Sequence, residues 1–255
     1  MKSRNGFLEK LMIETLQQSE KRISSQQCKE TIAIKILSSP GYYTFINPFN
    51  VKFLDRDYLL TLNKANSIFV DGMLLVKYTN CFYGIKISRV SFDGNSLAPF
   101  LFEKANLLNK KIFFLGGEKS VAYEAANIVN DKYGSKIVVG TQNGFFNDIE
   151  DVIYNIKASE SDVVIVGMGA PLQDKVAFEL KQRIPNIVVL TCGGYLEQLS
   201  QSSQLEYYPN FISKLNLRAF YRLYKDPKKM FKRYFLDYRY FYFEVFSSAC
   251  RKIVR

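Results

Sequence analysis

Residues 161–174 read SDVVIVGMGAPLQD: an apolar run, two glycines, then a proline that opens a helix carrying an amide and a carboxylate. Val163–Val166 are β-branched, as expected of a parallel strand covered on both faces. Gly167 and Gly169 let the backbone approach a ligand closely. Pro171 suits the first helical turn, where its missing N–H costs nothing. The unpaired N–H groups and the positive dipole end at that helix start favour a phosphate or another polar group above the strand end. Gln173 and Asp174 stand at the same place, so the segment reads as strand 162–166, ligand site, helix 171–183.

The same alternation runs outward in both directions. Strands are expected at 111–115, 136–139 and 186–191, and helices at 119–132 and 148–158. Strands alternating with helices of this length imply an α/β fold with a Rossmann-like parallel sheet. Upstream, GYYTFIN (41–47) reads as a strand, residues 50–65 show helical spacing, and SIFVD (67–71) is a short strand ending in Asp71-Gly72. Asp71 thus stands at a strand's carboxyl end, where open α/β sheets bind ligands. Downstream strands close on Gly116-Gly117, Gly140, Gly167 and Gly193-Gly194, which together with Gly169 would form a trough for a nucleotide. Neither GxGxxG with a following acid nor GxxxxGK[ST] occurs, so a dinucleotide cofactor and a P-loop lack their marks.

A chain of 255 residues with 47% hydrophobic content can bury a full core. No apolar run of about 18 residues and no cleavable signal pattern is present, so the expectation is a chain that neither spans a bilayer nor is exported. Cys28, Cys81, Cys192 and Cys250 lie far apart, which argues for reduced thiols and against a zinc site. Histidine is absent, which excludes a Ser-His-Asp triad, a histidine base and histidine-ligated metals. Acid–base work falls to carboxylates, Lys, Tyr or Cys. The one DxD, Asp55-Arg56-Asp57, would support a metal-dependent alternative, but acids where a helix begins are favoured by the dipole alone.

The formal net charge is +11, and residues 210–255 carry 12 Lys and Arg against 3 Asp and Glu, a net of +9. That segment interleaves Phe and Tyr with the cations, a pattern suited to helices in a membrane interface, rings down and cations toward anionic headgroups. Nucleic acid could use the same residue types, but the aromatic density favours the membrane surface. The organisation expected is a polar helical lead-in (1–35), an α/β core (36–206) and a basic, aromatic, helical appendage at the membrane surface (207–255).

An ordered series of motifs narrows the reading further. TFIN ending at Asn47, VDG at Asp71, SRV at Arg89, FFLGG at 113–117, VVG followed by NGFF, VGMGAPLQD, TCGGYLE and YRLYKDPKKMFKRY together resemble the WecG/TagA/CpsF family, glycosyltransferase family 26, over roughly residues 40–235. The resemblance implies a metal-independent inverting transferase on the cytoplasmic face of the plasma membrane, without a cofactor. Such an enzyme moves a sugar from a UDP-sugar to a polyprenyl-diphosphate-linked saccharide in bacterial cell-surface polysaccharide synthesis, and relatives form homo-oligomers. Donors among relatives are N-acetylmannosamine, its uronic acid and glucose.

Carried onto this chain, the family pattern makes Asp71 the base and places Thr44, Asn47, Arg89 and Gln173 at the substrates. Arg222, Lys229, Lys232 and Arg233 fall on the donor diphosphate, and Glu197 joins the glycines at the nucleotide. Several positions depart from the pattern. Phe45 stands two before Asn47, so the threonine role passes to Thr44; Asp174 replaces glutamate, and Glu197 replaces aspartate. VSFDGNSL after Arg89 lacks Gly-x-Asp, and Arg218-Ala219 replaces Glu-Trp. Lys229 and Lys232 keep the charge of family arginines without their bidentate fork.

The residues argue the same chemistry. Inverting transfer needs a base to take the acceptor hydroxyl's proton while UDP leaves from the opposite face of the sugar, and Asp71 fits. Asn47 and Gln173 suit sugar hydroxyls. Arg89 and the tail cations can offset diphosphate charge, as a metal-free site must. A non-catalytic nucleotide or lipid-diphosphate binding module would use the same glycines and tail.

Overall fold

The structure, a computed structural model, describes residues 26–83, 87–134, 136–202 and 218–253. Helix α1 (Gln26–Ser38) leads into strand β1 (Gly41–Ile46), a 3-10 turn (Pro48–Phe53), α2 (Arg56–Leu62), β2 (Ser67–Val70), α3 (Met73–Tyr83) and α4 (Leu97–Leu107). Then follow β3 (Ile112–Gly116), α5 (Val121–Tyr133), β4 (Val138–Gln142), α6 (Ile149–Ala158), β5 (Val163–Gly167), α7 (Leu172–Arg183), β6 (Val188–Thr191) and α8 (Tyr195–Ser200). The C-terminal segment holds α9 (Arg218–Lys225), α10 (Pro227–Phe231), a π-helical turn (Lys232–Asp237) and α11 (Arg239–Ile253).

The six strands form one parallel sheet in the order β2-β1-β6-β5-β3-β4. β5 sits inside it, with Val164 opposite both Phe113 of β3 and Val189 of β6. Strand alternation sends successive side chains to opposite faces. Tyr43, Phe114, Val163 and Ile165 pack with α1, α4 and α5, whereas Tyr42, Phe113, Val164 and Val166 pack with α6 and α7. Both faces are dry, which explains the uninterrupted apolar run from which the fold was read.

The first half departs from expectation in detail. The helical spacing over 50–65 resolves into the 3-10 turn and α2, broken at Leu54-Asp55 because the Asp55 side chain accepts from the Tyr58 N–H at 2.8 Å and caps α2. The part of the lead-in from Gln26 belongs to α1, whose Ala33, Ile36 and Leu37 enter the core against α4. Residues 1–25, and the boundary expected near Tyr207, lie outside the described residues. β4 continues past its glycine, so Gly140 is mid-strand rather than at a strand end, and a side chain there would strike the Phe113 ring.

The C-terminal segment is helical, as expected, and seats on the β1–β2 side of the sheet. Phe241 is buried with Tyr58, Leu75 and Tyr78, its ring edge-on to Tyr78 at 5.5 Å. Lys52 of the 3-10 turn reaches Asp237 at 2.7 Å. Phe231, Phe235, Phe243 and Phe246 stay exposed.

Candidate active site

Because every strand is parallel, all carboxyl ends open on one edge. The ends of three consecutive strands in the sheet, β2, β1 and β6, present Asp71, Asn47 and Gly193 as the floor of a cleft of about 560 Å³. Phe92 and Asp93 also line it, and Arg222, Lys225, Asp226, Lys229 and Arg233 of the appendage give it a wall rich in cations. A smaller cavity of about 140 Å³ shares the floor and reaches Gly169 and Gln173 at the start of α7.

Asp71 is held from two directions. Its N–H donates to the Ile46 carbonyl at 2.7 Å, extending the β1–β2 ladder by one bond. The Val90 N–H donates to the Val70 carbonyl at 3.0 Å, which brings the next segment alongside and places Arg89 against the carboxylate. Arg89 Nε and Nη2 lie 3.0 and 2.9 Å from Asp71 Oδ1, and Nη2 also lies 2.9 Å from Asp93 Oδ2. Burial works against the Arg89 charge, but the two carboxylates outweigh it and hold the guanidinium above its ordinary value.

Asn47 caps the 3-10 turn: its Oδ1 accepts from the Phe49 N–H, and its own N–H donates to Asn50 Oδ1, both at 2.9 Å. Asn50 Nδ2 donates to the Tyr58 hydroxyl at 2.7 Å, and that hydroxyl donates to Asp174 Oδ2 at 3.0 Å. Asp174, fully buried, also accepts from the Tyr42 hydroxyl at 2.6 Å and from Thr44 Oγ1 at 2.5 Å. Burial pushes the Asp174 carboxyl up despite these three hydroxyl donors, and its proximity together with burial pushes the Tyr42 phenol well up. A hydrogen-bonded chain therefore runs from a buried carboxylate to the cleft floor.

Thr44 requires a correction. It is fully buried and bonded to Asp174 and Thr191, because strand alternation turns it into the sheet, so it supports the floor instead of lining the cleft. Gln173 Oε1 accepts from the Gly193 N–H at 3.0 Å, tying α7 to the end of β6. Gly169 and Gly193 adopt φ of +76° and +58° with open space where a Cβ would project, so the backbone there is accessible to a ligand. Gly116, Gly117 and Gly167 instead serve close packing: a side chain at Gly116 would strike the Gly167 backbone, one at Gly117 the Val121 side chain and one at Gly167 the Cys192 sulfur, and none of the three lines the cleft. Gly194 and Glu197 do line it; Gly140 does not.

Of the four appendage cations singled out, three line the cleft and Lys232 does not. Lys229 lies 3.4 Å from Glu197, a solvent-exposed pair that a ligand anion can displace at little cost. Arg233 stacks on Phe49, and its Nε is buried with no hydrogen-bond partner, a donor left for a ligand. Among the described residues no three of Cys, Asp and Glu gather as ligands for a metal. Neither Asp55 nor Asp57 lines the cleft.

Sequence reading passed over Asp93, Lys225 and Tyr195 as lining groups. Asp93 lay in the VSFDGNSL stretch, and Lys225 in the closing basic motif; both were visible without spacing to single them out. The assembled geometry sets one open carboxylate on the floor against a cationic wall, which suits removal of a hydroxyl proton beside a departing anion.

The sequence pattern of the glycosyl transferase WecG/TagA/CpsF family matches residues 14–254. The chain is 29% identical over 217 residues, 84% of its length and 89% of the relative's, to a UDP-Gal:alpha-D-GlcNAc-diphosphoundecaprenol beta-1,4-galactosyltransferase of Shigella boydii. It is 28% identical over 173 residues, 68% of its length and 66% of the relative's, to an N-acetylglucosaminyldiphosphoundecaprenol N-acetyl-beta-D-mannosaminyltransferase of Bacillus subtilis strain 168. A Staphylococcus aureus MW2 protein of the same description is 27% identical over 175 residues.

Proposed function

Since the chain belongs to the WecG/TagA/CpsF family of glycosyltransferases, we propose that it transfers one sugar, with inversion, from a UDP-sugar to an undecaprenyl-diphosphate-linked N-acetylglucosamine in cell-envelope polysaccharide synthesis. The observation that carries this reading is Asp71, open to a cleft also lined by Arg222, Lys229 and Arg233. Asp71 takes the proton of the acceptor hydroxyl; the oxygen attacks the anomeric carbon; the bond to the donor diphosphate breaks on the far side, and UDP leaves with the electron pair. The wall cations and the Gly193 backbone offset the charge that grows on the leaving diphosphate, and no metal is required.

Relatives named for galactosyl and N-acetylmannosaminyl transfer bracket the donor. The match with the galactosyltransferase covers more of both chains, which makes galactose the first donor to try. The enzyme works as a peripheral protein on the cytoplasmic face of the plasma membrane. No helix among the described residues is long and apolar enough to cross a bilayer, and the exposed rings and cations of the appendage suit an anionic surface. Incubating the protein with UDP-galactose, UDP-N-acetylmannosamine and UDP-glucose and a short-chain lipid diphosphate bearing N-acetylglucosamine tests the reading. One donor should give a disaccharide of inverted anomeric configuration; retention, or no product with any donor, would overturn it.

A further inference from the structure

We infer that Asp93 is a positioning residue of this site, setting through Arg89 both the aim and the effective charge of Asp71. The inference rests on the reading of Asp71 as the base and deepens it. Arg89 is a cation between two carboxylates, and the two are not alike. Asp93 is the fixed end: it is 5% exposed, its Oδ2 accepts from Ser91 Oγ at 2.5 Å and its Oδ1 accepts from the Asn95 N–H at 2.9 Å. Asp71 is the working end, its side chain 28% exposed on the cleft floor.

Two consequences follow from this geometry. With Nε and Nη2 engaged by carboxylates, Arg89 has little surplus charge for a donor diphosphate, so its assignment to diphosphate gives way to holding Asp71. And Asp71 shares its counter-cation with Asp93, so the anchored carboxylate of Asp93 fixes where the guanidinium sits and with it how the Asp71 carboxylate is held. The other charged or titratable groups lining the cleft with Asp71 are Tyr221, Arg222, Lys225, Asp226, Lys229 and Arg233 of the appendage, Cys192 after β6, and Tyr195 and Glu197 of α8, and Tyr238 of the appendage also feels the Asp71 charge. They are common to all variants below and cancel in the comparison.

The test is the pH dependence of kcat/KM in Asp93→Asn and Arg89→Gln, with UDP affinity measured by calorimetry and folding checked by circular dichroism. Asp93→Asn gives Arg89 wholly to Asp71; the acid limb should move to lower pH by about half to one unit, and the plateau should fall several-fold. Arg89→Gln leaves two carboxylates without their cation, so the limb should move to higher pH. UDP affinity should stay within about threefold in both. Limbs that stay put or move the same way would overturn the inference, as would a loss of UDP affinity of about tenfold or more in Arg89→Gln. Should Asp93→Asn not fold, the direction of the Arg89→Gln limb and its UDP affinity decide. A wild-type protein without turnover would overturn the parent reading and this one together, whereas turnover with unmoved limbs overturns this one alone.

Discussion

The guanidinium of Arg233 lies 5.0 Å from the ring centre of Phe49, across the gap between the appendage and the turn that follows β1. Asn47 caps that same turn, and the Lys52–Asp237 pair ties it to the appendage a second time. The cationic wall is thus aimed by the residues that shape the floor. A cation–π contact contributes about 0.5 to 2 kcal/mol, depending on its exposure. Phe49→Leu should therefore raise KM for the donor several-fold while kcat falls less and thermal stability barely moves. Steady-state kinetics at varied donor concentration check this, and an unchanged KM would show that the ring does not hold Arg233 in place.

Replacing Asp71 by asparagine removes the proposed base in a nearly isosteric change. The chemical step should slow by at least about 10²-fold, with UDP still bound and the melting temperature within a few degrees. Turnover within a few-fold of wild type would take Asp71 out of the role.

Chelation distinguishes a metal-free cleft from a DxD site. EDTA should leave transfer intact, because the proposed reading meets the diphosphate with side chains and backbone. Loss of activity with rescue by magnesium or manganese would move the donor site to Asp55 and Asp57.

The appendage should carry the protein to anionic vesicles, with release as salt rises, since electrostatic attraction is screened over about 10 Å at 0.1 M. Phe243 and Phe246 are 61% and 68% exposed. Their joint replacement by serine should weaken co-sedimentation without lowering the melting temperature. Unchanged binding would place the contact elsewhere.

Asp174 makes a pH prediction whose sign follows from burial. Its carboxyl is raised in the folded state, so between the unfolded and folded values the native protein binds the extra proton, and stability falls as pH rises through that window. Asp174→Asn abolishes this component. The melting temperature of the variant relative to wild type should therefore shift in the variant's favour as pH rises through and above the ordinary carboxylate range. A difference independent of pH would show that Asp174 titrates alike in both states.

The sheet was legible where its strands are buried on both faces. Val163–Val166 and Val188–Thr191 are continuous apolar runs between helices with polar faces, and the structure places them in the sheet's interior. Three helices went unassigned: α3, whose buried Leu75, Val76 and Tyr78 meet a partner at the far end of the chain, α4, whose Leu97, Leu101 and Phe102 are buried among residues from many elements, and the short α8, whose Leu196 and Leu199 are buried in the same cluster as α4. Thr44 and Phe45 show the limit at the site itself. Which of two adjacent strand residues faces a ligand depends on which side of the sheet each points to, and no local pattern states that when both sides are dry. Gly140 failed for a similar reason: β4 runs two residues beyond it, so a glycine taken for a stop is a packing position. Asp93 became meaningful only when Val90 docked on Val70 and turned Arg89 between two acids.

The cleft has a chronology as well as a shape. Its floor comes from Asn47, Asp71 and Gly193, and its cationic wall from residues between Arg222 and Arg233. Two of the three hydrophobic clusters contain no described residue beyond Leu199. During synthesis the sheet therefore has what it needs to close before the wall has left the ribosome, as units made earlier generally fold first. For that interval the nascent protein has a floor without a wall, and under the proposed function capture of an anionic donor waits for the segment that is also proposed to meet the membrane. On that proposal, competence for donor and arrival at the lipid surface are coupled to one late event.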